Sequence, residues 1–216
     1  MLCCMLLIVQ NKPFVTFSTV STELYNREAL RSSKRISNPG CYATNTQLLL
    51  APLLPYVSGQ PTVFGVSGCS GAGTKHSSVP KISPESLRGG IKPYSLTDHI
   101  HEREAGFHLS QHSSSSDKDV SVAFIPTVAP WFQGIISTAS VPLKDTMRAS
   151  DLVKLYEEMY ANEKLVKIQK EVPEIADISG KHGWTVGGFQ MHSSGKRAVV
   201  VVSFHVIQVS SRFCGL

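Results

Sequence analysis

The sequence lacks the features of a membrane-spanning or disulfide-stapled protein. Its N-terminal apolar stretch, residues 1–9, is too short to span a bilayer, and it has neither the basic segment nor the cleavage site of a secretory signal. The five cysteines are odd in number and irregularly spaced, which argues against a disulfide framework. These absences predict a protein of a reducing compartment without a membrane partner.

Clustered charge is also missing. Charged residues make up 17% of the chain, and the lysines and arginines behind its net charge of +5 are scattered. There is no zinc-finger spacing, no RNA-binding signature and no interleaving of aromatic with basic residues, so a nucleic-acid partner is not predicted. The mildly basic balance suits an anionic substrate or cofactor instead. Neither a Walker loop nor a GxGxxG segment is present.

What the sequence does contain is a sharp turn before a cysteine. Residues 37–44 read Ser-Asn-Pro-Gly-Cys-Tyr-Ala-Thr. Pro39 fixes its own φ, Gly40 permits a tight reversal, and Asn38 can hydrogen-bond to the local backbone. The segment therefore predicts a turn that ends at Cys41.

An apolar helix is predicted directly after this turn, over residues 42–54, with Pro52 kinking or ending it. Cys41 then lies where a loop enters a helix. Unpaired amides and the positive end of the helix dipole stabilise a thiolate there. The plain alternative is a small buried thiol at a helix start.

A second segment is rich in small residues. Residues 65–73 contain four glycines, two serines and one alanine, so backbone can approach a ligand closely and offer amides to an oxyanion or phosphate. A flexible turn is the alternative, and Cys69 is interpreted as structural. The candidate ligand-binding residues are Ser67, Gly68, Ser70, Gly71, Ala72 and Gly73.

A third segment, residues 94–104, carries two histidines and a glutamate. In an extended conformation His99 and His101 would project from the same face, and one of them could act as a general acid or base. Glu104 is near enough to orient an imidazole. Two alternatives stay open, a metal site and surface histidines without a role, but the metal site needs further ligands that the sequence does not place.

The remaining pattern predicts an α+β domain, with helices covering one face of a mixed sheet. Helices are predicted over residues 22–32 and 151–160, the second with Ser150 as its N-cap. Predicted strands cover residues 62–66, 120–126, 135–143 and 165–168, and a hairpin joins 183–192 to 196–206.

These motifs together resemble the N-acetyl-gamma-glutamyl-phosphate reductases. The octapeptide at 37–44 is similar to their active-site signature, and His-x-His-x-x-Glu after a tyrosine-containing loop is similar to their histidine motif. Residues 124–135 resemble a turn of the family, and residues 187–197 resemble its late hairpin. The sequence at 131–133 is similar to that of the fungal enzymes, which are parts of a larger mitochondrial polypeptide. The implied fold is the glyceraldehyde-3-phosphate-dehydrogenase-like C-terminal domain, a largely antiparallel mixed sheet.

The resemblance also implies roles. Cys41 would attack an acyl phosphate to form a thioester, which NADPH would reduce to the semialdehyde of arginine biosynthesis. His101 is the first choice for the acid/base and His99 the second, with Glu104 beside them. The resemblance further implies substrate contacts, NADP at the glycine-rich loop, a homo-oligomer and the mitochondrial matrix; the substrate-binding candidates are Asn38 and Tyr94.

The resemblance covers about residues 23–202 and breaks at both ends. The expected division is a divergent segment over 1–20, a catalytic and dimerisation domain over 21–202, and a divergent tail over 203–216. A Rossmann domain is expected to be missing, so NADP binding should be incomplete. Thr127 stands where a histidine is usual, which could reduce activity. A non-catalytic dimerisation fragment and a small metal protein remain as alternatives. Aspartate-semialdehyde dehydrogenases are related, but a Thr-rich motif with Gln usually follows their cysteine.

Overall fold

The computed structural model of the chain describes residues 18–19, 31, 36–37, 39–72, 83–112, 119–178 and 180–205. The strands are β1 (Ser18–Thr19), β2 (Ile36–Ser37), β3 (Thr62–Gly68), β4 (Lys92–Pro93), β5 (Ala123–Ala129), β6 (Ile135–Pro142), β7 (Val166–Ile168), β8 (Trp184–Met191) and β9 (Arg197–Phe204). The α-helices are α1 (Cys41–Leu50), α2 (Pro84–Leu87), α3 (Ile100–His112), α4 (Ala149–Tyr160) and α5 (Ile175–Ile178), with 3₁₀ turns at Ala51–Tyr56 and Cys69–Ala72.

Seven of the described strands form one mixed sheet, in the order β4-β5-β3-β6-β9-β8-β7. The β3–β5 and β7–β8 pairs are parallel, and the other four pairs are antiparallel. β1 and β2 pair in parallel outside this sheet. The predicted α+β class with a largely antiparallel mixed sheet is therefore confirmed.

Helix α1 lies at the centre of one face of the sheet. It packs against β6 and β9, with α3 beside it. Helix α4 is tied to its C-terminal half, since Tyr160 Oη donates to the carbonyl of Leu48 at 2.8 Å and Tyr156 Oη donates to the carbonyl of Leu49. Burial raises the pKa of Tyr156 far above its usual value, so the phenol stays a donor. The three helices hold the first residue of α1 at one end of the sheet.

The predicted elements are mostly confirmed, with shifted bounds. Helix α1 starts at Cys41 and gives way to a 3₁₀ turn at Ala51, just before Pro52 as predicted. The prediction of Ser150 as an N-cap is wrong: α4 starts at Ala149, two residues before the predicted start, and its N-cap is Arg148. The predicted helix at 22–32 lies outside the described residues except for Arg31. Across the described parts of the chain, no helix is long and apolar enough to cross a membrane.

Candidate active site

Cys41 is the first residue of α1, and its side chain is partly exposed. The N-cap is Gly40, whose carbonyl accepts from the amide of Thr44 at 2.9 Å and from Thr44 Oγ1 at 3.1 Å. The predicted placement of this thiol at the entry to a helix is confirmed. The positive end of the helix dipole therefore points at the thiol.

Gly40 is buried, and two side chains of α3 occupy the space where a Cβ would stand. A methyl group there would lie 2.3 Å from His101 Nε2 and 2.9 Å from Glu104 Oε2. Glu104 Oε1 also accepts from the amide of Gly40 at 3.0 Å. Gly40 has an ordinary φ of −62°, so glycine is required here for space and not for a left-handed backbone. The imidazole and the carboxylate thus lie directly against the nucleophile turn.

The prediction that His99 and His101 lie on an extended segment is wrong. His101 belongs to the first turn of α3, and His99 precedes the helix. The two rings still meet, with centroids 5.0 Å apart, because the amide of His101 donates to His99 Nδ1 at 3.2 Å. Glu104 follows His101 by three positions and so shares its helix face. A helix explains the grouping better than an alternating strand does.

Aromatic rings pack around the two histidines. Tyr42 lies 5.9 Å from His101 and 4.8 Å from Phe124 between ring centroids, and Tyr94 contacts His99 edge-on at 5.7 Å. Burial, followed by the neighbouring Tyr94, raises the pKa of Tyr42 far above its usual value. Its phenol therefore stays protonated and donates to a backbone carbonyl of β5 at 3.2 Å. These ring contacts and the bond to β5 anchor the turn before Cys41 against the sheet.

The glycine-rich segment uses its amides within the protein. The amides of Gly68, Cys69 and Ser70 donate to carbonyls of a turn formed by residues 131–134, at 2.9 to 3.1 Å. A Cβ on Gly68 would meet backbone atoms of this turn at 2.7 and 2.8 Å. Ser67 is buried in β3. These amides are therefore not available to a phosphate, contrary to the sequence-based expectation.

Some predicted positions fall outside this cluster. Asn38 and Gly73 lie outside the described residues, and of Gly71 and Ala72 only the backbone is described. Thr127 is fully buried on β5. It is three positions from Phe124, so its side chain takes the opposite face of the strand, away from the histidines.

Sequence reasoning missed one polar contact below the nucleophile. Asn45 is fully buried on α1, and its Oδ1 accepts from Trp184 Nε1 at 3.1 Å. The only sequence signal was a polar residue inside an apolar helix, four positions after Cys41. Its partner lies 139 positions further along the chain. No local pattern could have paired them.

A metal centre finds no support among the described residues, where no three His, Cys, Asp or Glu side chains converge as a metal ion would require. What the geometry offers is a setting for nucleophilic chemistry: a thiol at a helix start, with an imidazole and a carboxylate packed against the preceding glycine. The fold and site define an α+β domain with a cysteine at the start of its central helix.

The chain belongs to the family described as semialdehyde dehydrogenase, dimerisation domain, whose sequence model matches residues 41–205. It is 54% identical over 181 residues to "Protein arg11, mitochondrial" of Schizosaccharomyces pombe, an alignment that covers 84% of this chain and 19% of that protein. It is 43% identical over 177 residues to an N-acetyl-gamma-glutamyl-phosphate reductase of Xanthomonas axonopodis pv. citri, covering 82% of this chain and 52% of that one. The chain thus spans a fifth to a half of these relatives.

A solved structure supports the fold. The crystal structure of aspartate semialdehyde dehydrogenase II from Vibrio cholerae, complexed with ASA, superposes with a TM-score of 0.63 at 16% identity. The superposition covers 88% of this chain and 62% of that one. The implied glyceraldehyde-3-phosphate-dehydrogenase-like architecture is therefore confirmed as a fold.

Proposed function

We propose that this chain is the cysteine-bearing part of an N-acetyl-gamma-glutamyl-phosphate reductase, in which Cys41 takes up the acyl group as a thioester. The observation that carries the proposal is the placement of Cys41 at the start of α1, with His101 and Glu104 packed against the preceding Gly40. The identities to named reductases and related mitochondrial proteins support it.

The acyl transfer follows from these groups. The Cys41 thiolate attacks the carbonyl carbon of the acyl phosphate, an S–C bond forms, the C–O bond to phosphate breaks, and inorganic phosphate leaves. His101 takes the thiol proton as the base and returns a proton when a tetrahedral intermediate collapses. Glu104 accepts a hydrogen bond from the Gly40 amide and, like the His101 imidazole, lies against Gly40.

The cofactor-binding part of the proposed site is less complete in this chain than the part around Cys41. NADPH would supply the hydride that reduces the thioester, but Gly68, Cys69 and Ser70 do not offer amides to its phosphates, because these amides are already bonded to the turn at 131–134. A contact with the nicotinamide end, at the small residues that follow, remains part of the proposal. NADPH binding by the chain alone should be very weak, which calorimetric titration tests.

Thiol reactivity and acylation test the proposal together. Limiting iodoacetamide at neutral pH should label Cys41 well before Cys69, as read by peptide mass spectrometry. Incubation with acetyl phosphate should add an acetyl group to Cys41 with release of phosphate, and Cys41→Ser should abolish both. Cys69→Ser is the matched control and should leave acylation unchanged. Labelling of Cys69 first, or no acylation of the native chain, would contradict the proposal and favour a non-catalytic dimerisation fragment.

The family description supports a homodimer, and we assign the face that forms it. On β3, Val63 is buried towards the helices, whereas Phe64 on the other face is 39% exposed. Its row continues across the sheet through Ile125 and Thr138, which are only partly buried. A second copy covering this face would bury the exposed ring. Phe64→Arg should convert the dimer to a monomer in analytical ultracentrifugation, and an unchanged mass would contradict the assignment.

The compartment is the mitochondrial matrix. The Schizosaccharomyces pombe and Neurospora crassa relatives are both named as mitochondrial, which supports this compartment. Fractionation of cells that express the full-length protein, with protease protection of intact mitochondria, tests this placement.

A further inference from the structure

One buried side chain ties the nucleophile helix to two strands. Asn45 lies on α1 one helical turn after Cys41 and is fully buried. Its Oδ1 accepts from Trp184 Nε1 of β8 at 3.1 Å, and its Nδ2 donates to Ser137 Oγ of β6 at a longer 3.4 Å. Both ends of the amide are therefore used, each on a different strand.

Apolar packing alone does not fix the rotation of α1 about its axis. Nine of its ten residues are buried, so the helix has no single apolar stripe that must face the sheet. The hydrophobic effect is non-directional, whereas a buried amide left unpaired costs about 1–3 kcal/mol. The bonds of Asn45 therefore select one rotation of the helix. Tyr42, three positions earlier on the same helix, adds a bond from its hydroxyl to a backbone carbonyl of β5.

We propose that Asn45 is a positioning residue for Cys41: by bonding to Trp184 and Ser137, it sets the rotation of α1 and so the direction of the thiol relative to His101, which packs against the adjacent Gly40. This inference rests on the proposed role of Cys41 as a nucleophile. Helix Cα atoms lie about 2.3 Å from the axis and the thiol lies further out, so a rotation of roughly 20° moves the sulfur by about 1 Å. A shift of that size can slow aligned chemistry by about 100-fold.

The test is the pH profile of Cys41 alkylation by iodoacetamide on the full chain. Asn45→Leu should move the midpoint of the profile up by about one pH unit and slow alkylation at neutral pH about tenfold, because the thiolate loses its place beside the imidazole and the helix start. Gln47→Leu is the matched control. Gln47 is also a buried polar residue of α1, but its Nε2 donates to the Ala43 carbonyl of the same helix at 3.1 Å. It should leave the midpoint unchanged.

A second variant keeps the test decisive if Asn45→Leu does not fold, which circular dichroism reports. Trp184→Phe retains a ring to stack on Phe204, where the native centroids are 4.6 Å apart, but removes the N–H that Asn45 accepts. It should slow alkylation about threefold, and the double variant should add little to Asn45→Leu, as expected for partners in one network.

Two results would overturn the inference. One is wild-type alkylation in both Asn45→Leu and Trp184→Phe, or in Trp184→Phe alone if Asn45→Leu does not fold; the other is an effect of Gln47→Leu equal to that of these variants. Its failure is distinguishable from failure of the proposed function. Alkylation needs no acyl phosphate, so the reactivity of Cys41 can depend on Asn45 even if acetyl phosphate does not acylate the native chain.

Discussion

Glycine serves a different purpose in the turn at Gly40 than it does at Gly68, where β3 meets the turn at 131–134. At Gly40 the missing side chain leaves room for His101 and Glu104, the groups that can act on a thiol. At Gly68 it leaves room for the backbone of the turn at 131–134, which takes up the neighbouring amides. A glycine-rich sequence therefore indicates a close approach, but it does not indicate what approaches. Only the first turn brings reactive groups together.

The largest expected effect tests whether His101, which lies against the turn at Gly40, acts in the reaction or only packs there. His101→Asn should slow acylation of Cys41 by about 100-fold to 10,000-fold, the usual contribution of a general acid or base. Stopped-flow measurement of phosphate release from acetyl phosphate gives the rate, and circular dichroism checks the fold. His99→Asn is the comparison, with a smaller loss expected. An unchanged acylation rate in both variants would mean that the two histidines have only a structural role.

The next prediction concerns the space that the missing side chain of Gly40 leaves for His101. Gly40→Ala places a methyl group 2.3 Å from His101 Nε2, so the imidazole must move and acylation should fall by about 100-fold, as expected for a displacement near 1 Å. Gly59→Ala is the matched control, since its Cβ would meet only Pro142 Cγ at 3.7 Å. Equal rates in these two variants would remove the contrast between the turns.

The second turn should respond in stability and not in reactivity. Gly68→Ala meets backbone at 2.7 Å, which cannot rotate away, and overpacking of this kind costs about 1–3 kcal/mol of unfolding free energy. Urea unfolding measures that loss. Alkylation of Cys41 should stay within about twofold of the native rate, because thiol reactivity follows its own surroundings. A tenfold loss of reactivity would show that the two turns are coupled.

The smallest effect concerns the deep end of α3. Burial, and then the nearby His112, lower the pKa of His108 below the usual histidine value of about 6.5. The unfolded chain therefore binds more protons than the native chain as the pH falls below 6.5, and stability should decrease on acidification. His108→Gln should weaken this pH dependence in urea unfolding between pH 7 and 5, whereas the exposed His182→Gln should not. Parallel curves for all three proteins would contradict the prediction.

The sequence was informative where function depends on contiguous residues. The octapeptide placed Cys41 at a helix start, and Pro52 marked the end of α1, because turn chemistry and helix termination are local. His101 and Glu104 lie together against Gly40, but on a helix and not on an extended segment, since a spacing of two fits a strand while a spacing of three fits a helix. Three amides of the glycine-rich segment bond to acceptors more than sixty positions away, which no local pattern shows. Asn45 and Trp184 were out of reach for the same reason.

The two tryptophans give this arrangement a spectroscopic consequence. The sequence contains only Trp131 and Trp184, and both indoles hydrogen-bond at the same end of the sheet, to Gly134 and to Asn45 of α1. Tryptophan fluorescence of this protein therefore reports on that end of the sheet alone and gives no signal from the opposite end. A fluorescence transition that precedes the loss of circular dichroism would mean that the site loosens before the domain unfolds.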